Sequence, residues 1–197
     1  MKVGITELLK SGNREFSDTE LLRCLENALE IFPLGEVYRR AKVLEPFPSE
    51  IRSSKPPEGA SFLGWVNDVY GTARELIVNQ GKNVRRKYGV DALVFALGKD
   101  PRLGPYAFAW PELFGRGEAL VSNPGYPPVL AHELGHLWGL GHHYPDGERE
   151  ECVMHVAGGL VVRADEVNHF SPRNQKTILQ RYREERGIGG RLRRLLR

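Results

Sequence analysis

The feature that most constrains this chain is an eleven-residue stretch, HELGHLWGLGH, which runs from His132 to His142. On an α-helix, His132 and His136 lie one turn apart on the same face, roughly 6 Å apart along the axis. That spacing lets two imidazoles bind one metal ion, while Glu133 lies about 100° further round the helix and can reach a water on that ion. Gly139 can take the positive φ that ends a helix, which brings His142 back as a third ligand. Three histidines and a water form an open, catalytic zinc site.

The surrounding residues favour a helix that carries such a site. Pro127 and Pro128 suit the first turn of a helix. Apolar residues supply its inner face: Val129, Leu130, Leu134 and Leu137. A helix with purely structural histidines would need a separate hydrogen-bond partner for each of three imidazoles, so the catalytic interpretation is preferred.

Composition limits the class of protein. With 197 residues, of which 41% are hydrophobic, the chain can bury one core, with two lobes around a cleft. It has neither an apolar run that could span a membrane nor a secretory signal at its start, so we expect a cytoplasmic protein without a membrane partner. Cys24 and Cys152 are expected to be reduced thiols, although one bridge remains open. The arginine-rich segment Arg191–Arg197 is expected to be a solvated helix end, and nucleic acid is not the favoured partner.

Hydrophobic periodicity predicts an α/β fold in a single catalytic domain. The predicted strands are Val3–Leu8, Glu36–Leu44, Val90–Leu97 and Glu118–Ser122. The predicted helices run from the capping box at Ser17 to Pro33, over 61–88 in one or two pieces with Gly71 and Gly81 as possible breaks, through the histidine stretch, and onward from an N-cap at Ser171. Irregular structure is predicted for Pro46–Gly59, for Lys99–Gly117 and between His142 and Ser171. These elements suggest an N-terminal subdomain of about residues 1–141 with a mixed sheet, and a smaller subdomain of about 142–197.

The histidine stretch resembles the zinc signature of the metzincin clan of metallopeptidases. Cys152-Val153-Met154 resembles the methionine turn that lies beneath the zinc in that clan. Its short distance from His142 is similar to that in archaemetzincins, as is Phe170 near the end of the matching region, which runs from about residue 90 to 182. The resemblance implies a metzincin-like fold: a larger N-terminal lobe with a twisted mixed sheet and helices, an active-site helix, and a small, mostly irregular or helical C-terminal lobe.

The same resemblance implies a zinc metallopeptidase that hydrolyses peptide bonds in a peptide or protein substrate. His132, His136 and His142 would hold Zn²⁺, and Glu133 would be the general base that takes a proton from the zinc-activated water. The strand Glu118–Ser122 would bind the extended substrate by edge pairing, as the substrate-side strand of the clan does.

One departure from archaemetzincins concerns a second zinc, which that family holds with four cysteines. The corresponding positions here read His143, Cys152, Ser171 and Asn174, with Phe170 retained. Serine and asparagine are poor zinc ligands. We therefore expect one zinc per chain and no second, structural zinc.

Two alternatives remain open. A family of bacterial endoribonucleases has three histidines at this spacing, so a zinc hydrolase acting on RNA is conceivable, although that family has glycine where this chain has Glu133. The chain could also be a zinc-binding module whose catalysis has lapsed. His155 and His169 follow Met154, and ordinary surface or hydrogen-bonding roles are preferred for both. The sequence gives no indication of oligomeric state.

Overall fold

The structure is a computed structural model that describes residues 2–9, 12–33, 41–48, 61–99, 107–112, 116–142, 152–157, 160–161 and 167–186. Its helices are α1 (Asp18–Glu30), α2 (Phe62–Tyr88), α3 (Pro127–Leu137) and α4 (Pro172–Arg186). Its strands are β1 (Val3–Leu9), β2 (Ala41–Val43), β3 (Phe47–Pro48), β4 (Ala92–Ala96), β5 (Ala107–Glu112), β6 (Arg116–Val121), β7 (Val156–Ala157) and β8 (Leu160–Val161). The predicted α/β class is confirmed.

Six of these strands form one mixed sheet. The strand order is β2-β1-β4-β6-β5, and β3 also pairs with β1. The pairs among β1, β2, β3, β4 and β6 are parallel, whereas β5 runs antiparallel to β6. The short strands β7 and β8 form a separate antiparallel pair in the C-terminal part of the chain.

Side chains of β4 show how the sheet divides the core. Ala92, Val94 and Ala96 are fully buried on the face that packs against α1, α3 and residues of α4. Leu93 and Phe95, also fully buried, point to the opposite face, which α2 covers. A strand covered on both sides is apolar at every position, which accounts for the unbroken apolar run Ala92–Ala96 of β4. The histidine-bearing helix α3 lies on the first face.

The first helix begins where its capping box predicts. The Ser17 hydroxyl accepts a hydrogen bond from the Glu20 amide at 3.2 Å, and the Glu20 carboxylate accepts one from the Ser17 amide at 2.7 Å. These reciprocal bonds satisfy two amide groups at the start of α1.

The long segment 62–88 is one continuous helix, which decides between the two predicted possibilities. It ends at Gly89, whose left-handed φ of 61° closes the helix. Gly81 lies within this helix, and its missing side chain leaves room for Glu118, whose Cγ would lie 2.6 Å from a Cβ at this position. None of the described helices is both long and apolar enough to cross a membrane.

The irregular structure predicted for Lys99–Gly117 is wrong in part, because β5 lies within it and β6 begins at Arg116. In β5 the small residues Ala107 and Ala109 alternate with Phe108 and Trp110, a period of two. Pro111 obscures this signal, but an edge strand tolerates proline because its outer amides need no partner in the sheet. Two other predicted irregular regions contain the short strand β3 and the pair β7 and β8. Of the predicted strand Glu36–Leu44, β2 is confirmed, and residues 36–40 lie outside the described part.

A buried ion pair connects α2 to β6. The Arg85 Nε donates to Glu118 Oε1 at 2.5 Å, and both side chains are less than a tenth exposed. The Arg85 guanidinium also donates to the Asp91 carbonyl at 3.1 Å. A buried charge that loses its partner strongly destabilises a fold.

We predict that Glu118→Gln lowers the free energy of unfolding by about 3 kcal/mol, because it removes the carboxylate charge that pairs with the buried Arg85 guanidinium. Urea unfolding of the metal-free protein measures this change. The control is Glu45→Gln, since Glu45 is exposed and lies 3.9 Å from Lys87; surface pairs contribute about 1 kcal/mol or less. Equal losses of unfolding free energy in the two variants would show that the buried pair stabilises the fold no more than a surface pair does.

Candidate metal centre

The helix α3 places two histidines and a glutamate in a nearly dry environment. It begins at Pro127, and almost all of its residues are buried between the sheet and α1. His132 is 3% exposed and Glu133 is 5% exposed. Its apolar residues fix the orientation of the helix, and its polar residues are therefore held on one side.

The helix ends in a turn that returns the third histidine. Gly139 has a φ of 73°, the Leu140 amide donates to the Gly135 carbonyl at 3.0 Å, and the Gly139 amide donates to the His136 carbonyl at 2.6 Å. This pair of bonds is the Schellman motif, in which a left-handed residue closes the helix. The chain then reverses, and His142 lies beside His136, as the position of Gly139 in the sequence predicts.

The three imidazoles converge on one point. His136 Nε2 lies 3.0 Å from His132 Nε2 and 2.9 Å from His142 Nε2. One ligand atom from each of the three lies within 4.8 Å of the other two. Nitrogens bound to one tetrahedral zinc at about 2.0–2.1 Å are separated by roughly 3.3 Å. The spacing is thus suited to a single ion, which three histidines could hold.

Two backbone carbonyls determine which ring nitrogen faces this point. His132 Nδ1 lies 2.6 Å from the Val153 carbonyl, and His136 Nδ1 lies 2.8 Å from the Leu140 carbonyl. Because a carbonyl only accepts, each Nδ1 carries the proton and each Nε2 has a free lone pair. Two lone pairs 3.0 Å apart repel each other unless a cation lies between them. The arrangement therefore favours a metal ion over a purely hydrogen-bonded cluster.

Burial also determines the charge of these groups. It lowers the pKa of His132 to about 3 and lowers the pKa of His136, so both imidazoles are neutral near pH 7, the form that binds metals. Burial raises the pKa of Glu133 to about 8. Among the described residues none donates a hydrogen bond to the Glu133 carboxyl, so this buried group holds its proton up to about pH 8 in the metal-free protein.

A turn at residues 152–155 supports α3 from below. The His155 amide donates to the Cys152 carbonyl at 2.8 Å, and the Val153 amide donates to the His169 carbonyl at 2.9 Å. These bonds fix the Val153 carbonyl that accepts from His132.

Met154, in the same turn, is fully buried against the helix. A Cβ at Gly135 would lie 2.6 Å from Met154 Sδ and 3.2 Å from Phe170 Cε1. Gly135 is therefore required for close packing of the sulfur and the ring against the backbone between His132 and His136. This is the position beneath the metal ligands that the resemblance of Met154 to a methionine turn implies.

Cys152, Ser171 and Asn174 lie close together. They are three of the four positions that correspond, by resemblance, to the cysteine ligands of the second zinc in archaemetzincins. The Asn174 side-chain amide donates to Cys152 Sγ at 3.7 Å, and the Asn174 backbone amide donates to the Ser171 hydroxyl at 3.3 Å. The second bond is the N-cap predicted for α4. All three residues are buried. The fourth position, His143, lies outside the described residues.

Within the described residues, His132, His136 and His142 form the one group of histidine, cysteine or acidic side chains close enough to hold a metal ion. His155 and His169 do not belong to it. Their backbone groups instead bond within and beside the turn at 152–155.

The expectation that the strand Glu118–Ser122 is a free edge is wrong. Most of this segment belongs to β6, which pairs with β4 on one side and with β5 on the other. Its backbone groups are therefore engaged on both sides. Among the described strands, β5 lies at this end of the sheet, and it packs beside α3. The sequence predicts an edge here because Pro111 obscures the period of two in β5.

Comparisons with known proteins find similarity in structure only. No family model matches the chain, and no curated protein matches it significantly. The metalloproteinase-II of Bacteroides fragilis superposes with a TM-score of 0.50 and 16% identity, over 91% of this chain and 52% of that one. An archaemetzincin from Methanopyrus kandleri superposes with a TM-score of 0.49 and 22% identity, over 93% of this chain and 96% of that one. The chain spans about half the length of metalloproteinase-II, with which it shares its mixed α/β fold.

We predict that Gly135→Ala destabilises the metal-free protein by about 1–3 kcal/mol, because the new methyl group displaces Met154 and Phe170. Thermal or urea unfolding measures the loss. The control is Gly141→Ala, since a Cβ there meets no atom within 4 Å. If Gly135→Ala is as stable as this control, Met154 does not pack against α3 as described.

We predict a pH-dependent difference in stability between the metal-free wild type and Glu133→Gln. The folded pKa of about 8 exceeds the ordinary value of 4.5, so the folded state holds its proton more tightly than the unfolded chain. The stabilisation is fully present below about pH 4.5 and is lost as pH rises through 8.

Between pH 5 and 9 the wild type should therefore lose stability relative to Glu133→Gln, by an amount on the order of a few kcal/mol. Urea unfolding in the presence of a chelator, at each pH, gives the difference. A difference that stays constant across this range would mean that Glu133 is ionised in the folded protein at neutral pH.

Proposed function

We propose that the protein is a zinc-dependent metallopeptidase in which His132, His136 and His142 bind one zinc ion and Glu133 is the general base. One observation carries the proposal. The Nε2 atoms of His132 and His136 face each other with free lone pairs, because the Nδ1 atom of each ring donates to a backbone carbonyl. The proposal treats the chain as one catalytic domain, with an N-terminal subdomain of about residues 1–141 and a C-terminal subdomain of about 142–197.

The donor set suits zinc. Neutral imidazoles bind zinc well, whereas calcium and magnesium prefer oxygen ligands. Three protein ligands leave a coordination position free for chemistry. Zinc, when bound there, supplies Lewis acidity, which makes water a nucleophile near neutral pH and polarises a carbonyl.

Glu133 has the position of a general base. It follows His132 directly in α3, it is buried, and burial raises its affinity for a proton. Its carboxylate takes a proton from the attacking water, aligns that water toward a peptide carbonyl, and then delivers the proton to the leaving amine.

The substrate we propose is an extended peptide or a segment of a protein. Edge strands bind such segments through main-chain hydrogen bonds. The strand β5 replaces β6 in this role, because it is the end strand on the side of α3. Its small residues Ala107 and Ala109 alternate with the aromatic residues Phe108 and Trp110, of which Phe108 is exposed. Pro111 interrupts the row of amide donors and limits the length of pairing.

We predict that Glu133→Gln lowers peptide hydrolysis by about 10²–10⁴-fold and leaves zinc affinity nearly unchanged, because the amide cannot accept the proton. Mass spectrometry of a peptide library measures cleavage, and competition with a chromophoric chelator measures zinc affinity. The matched control is Glu75→Gln, because Glu75 is an exposed residue of α2. This variant should cleave peptides at the wild-type rate.

Further experiments distinguish the peptidase from the alternative functions. Removal of zinc with a chelator should stop cleavage, and readdition should restore it. Ribosomal RNA should remain intact under the same conditions. Turnover by Glu133→Gln at the wild-type rate would overturn the proposed mechanism. Cleavage of RNA but not of peptides would favour the nuclease alternative, and zinc binding without any cleavage would favour a lapsed module.

A further inference from the structure

We infer that Arg181 is a positioning residue for the third zinc ligand, His142. Arg181 lies on α4, 39 positions beyond His142 in the numbering, and it reaches the turn that leads from α3 to this histidine. The inference rests on the proposed zinc site and concerns how that site is held in shape. It does not depend on which substrate is cut.

The contact is with the backbone at the end of α3. Arg181 Nη1 donates a hydrogen bond to the Trp138 carbonyl. The same guanidinium covers Gly139, since a Cβ at Gly139 would overlap Nη1 and would lie 2.8 Å from Cζ. Arg181 therefore packs on the turn itself, and Gly139 is required there for space as well as for its positive φ.

This place in the helix is suited to a cation. The last four carbonyls of a helix lack partners within it, and the helix dipole places partial negative charge at this end. The Schellman motif satisfies the carbonyls of Gly135 and His136. The Trp138 carbonyl comes later, outside these two bonds, and Arg181 supplies its donor.

The turn that Arg181 holds bears directly on two of the ligands. Leu140 follows Gly139, and its carbonyl accepts from His136 Nδ1 at 2.8 Å. His142 comes two residues later and is exposed, so the turn sets where its backbone lies. A change at the Trp138–Gly139 turn would move both the support of His136 and the backbone of His142. Outer groups of this kind typically affect metal affinity by 10–100-fold.

Contacts along α4 hold the helix that carries Arg181 in place. Ile178, one turn earlier in α4, is fully buried in the core that contains Met154 and Trp138. The Gln175 side chain donates to the Phe170 carbonyl at 2.6 Å near the start of the helix. Asn174, four residues before Ile178, reaches the turn at 152–155 through Cys152 Sγ. One face of α4 thus links the turn that supports His132 to the turn that carries His142.

The experiment compares zinc affinity and cobalt spectra of Arg181→Met and Arg181→Lys with the wild type. Methionine keeps an apolar stem but removes the donors, whereas lysine keeps a charge that can reach the Trp138 carbonyl. Arg181→Met should bind zinc about tenfold or more weakly, and its Co²⁺ visible absorption should change because the third ligand is displaced. Arg181→Lys should recover most of the affinity.

The control on the same helix is Arg183→Gln, because Arg183 is exposed. This variant should bind zinc with the wild-type affinity. A second comparison uses His142→Ala: if Arg181 acts mainly through the third ligand, adding Arg181→Met to this variant should lower zinc affinity by a smaller factor than it does in the wild type, and the remaining effect acts through the Leu140 carbonyl that supports His136. Should Arg181→Met fail to fold, Arg181→Gln replaces it in both comparisons.

Native zinc affinity and an unchanged Co²⁺ spectrum in Arg181→Met would overturn the inference. So would an equal loss of affinity with and without His142, or an unfolding temperature lowered equally in metal-free and zinc-loaded protein, since these describe a merely structural role. None of these measurements requires peptide cleavage. If zinc affinity depends on Arg181 but no peptide is cut, the proposed activity fails and the inference stands.

Discussion

The candidate metal centre depends on two backbone carbonyls, those of Val153 and Leu140, which hold the imidazoles of His132 and His136. Each carbonyl fixes the proton on Nδ1 and so turns a free Nε2 lone pair toward the common point. One carbonyl belongs to the turn at 152–155, and the other belongs to the turn that ends α3. The shape of the site is therefore set by two turns outside the helix, and anything that moves either turn changes the ligand geometry.

Core packing holds these turns in place. Met154 and Phe170 pack against the backbone of α3 at Gly135, where a side chain would not fit. The helix α4 joins both turns through the buried contact of Asn174 with Cys152 and through the Arg181 guanidinium, and its Ile178 is buried in the same core. Hydrogen bonds among Cys152, Ser171 and Asn174 now lie where the resemblance to archaemetzincins implies cysteine ligands, so ordinary polar contacts and packing take part in the support of this region.

Local signals in the sequence predicted much of the fold and the grouping of the histidines. The spacing of His132 and His136, the turn at Gly139 and the capping box at Ser17 act over a few residues, so elementary helix geometry is sufficient. The strand β5 does not follow from the sequence because Pro111 obscures the alternation of small and aromatic residues in Ala107–Trp110, and without β5 the sequence predicts β6 as an edge, although only residues 113–115 separate the two strands. The Val153 carbonyl and Arg181 could not be predicted because their partners are 21 and 43 positions away along the chain.

The most direct measurement of the central claim is X-ray absorption of the protein loaded with zinc, together with the metal content per chain. A site made by His132, His136 and His142 predicts one zinc per chain, three imidazole nitrogens at about 2.0–2.1 Å, one further light ligand and no sulfur. A zinc–sulfur distance of about 2.3 Å would contradict this, because it would place the metal at Cys24 or Cys152 and not at the three histidines.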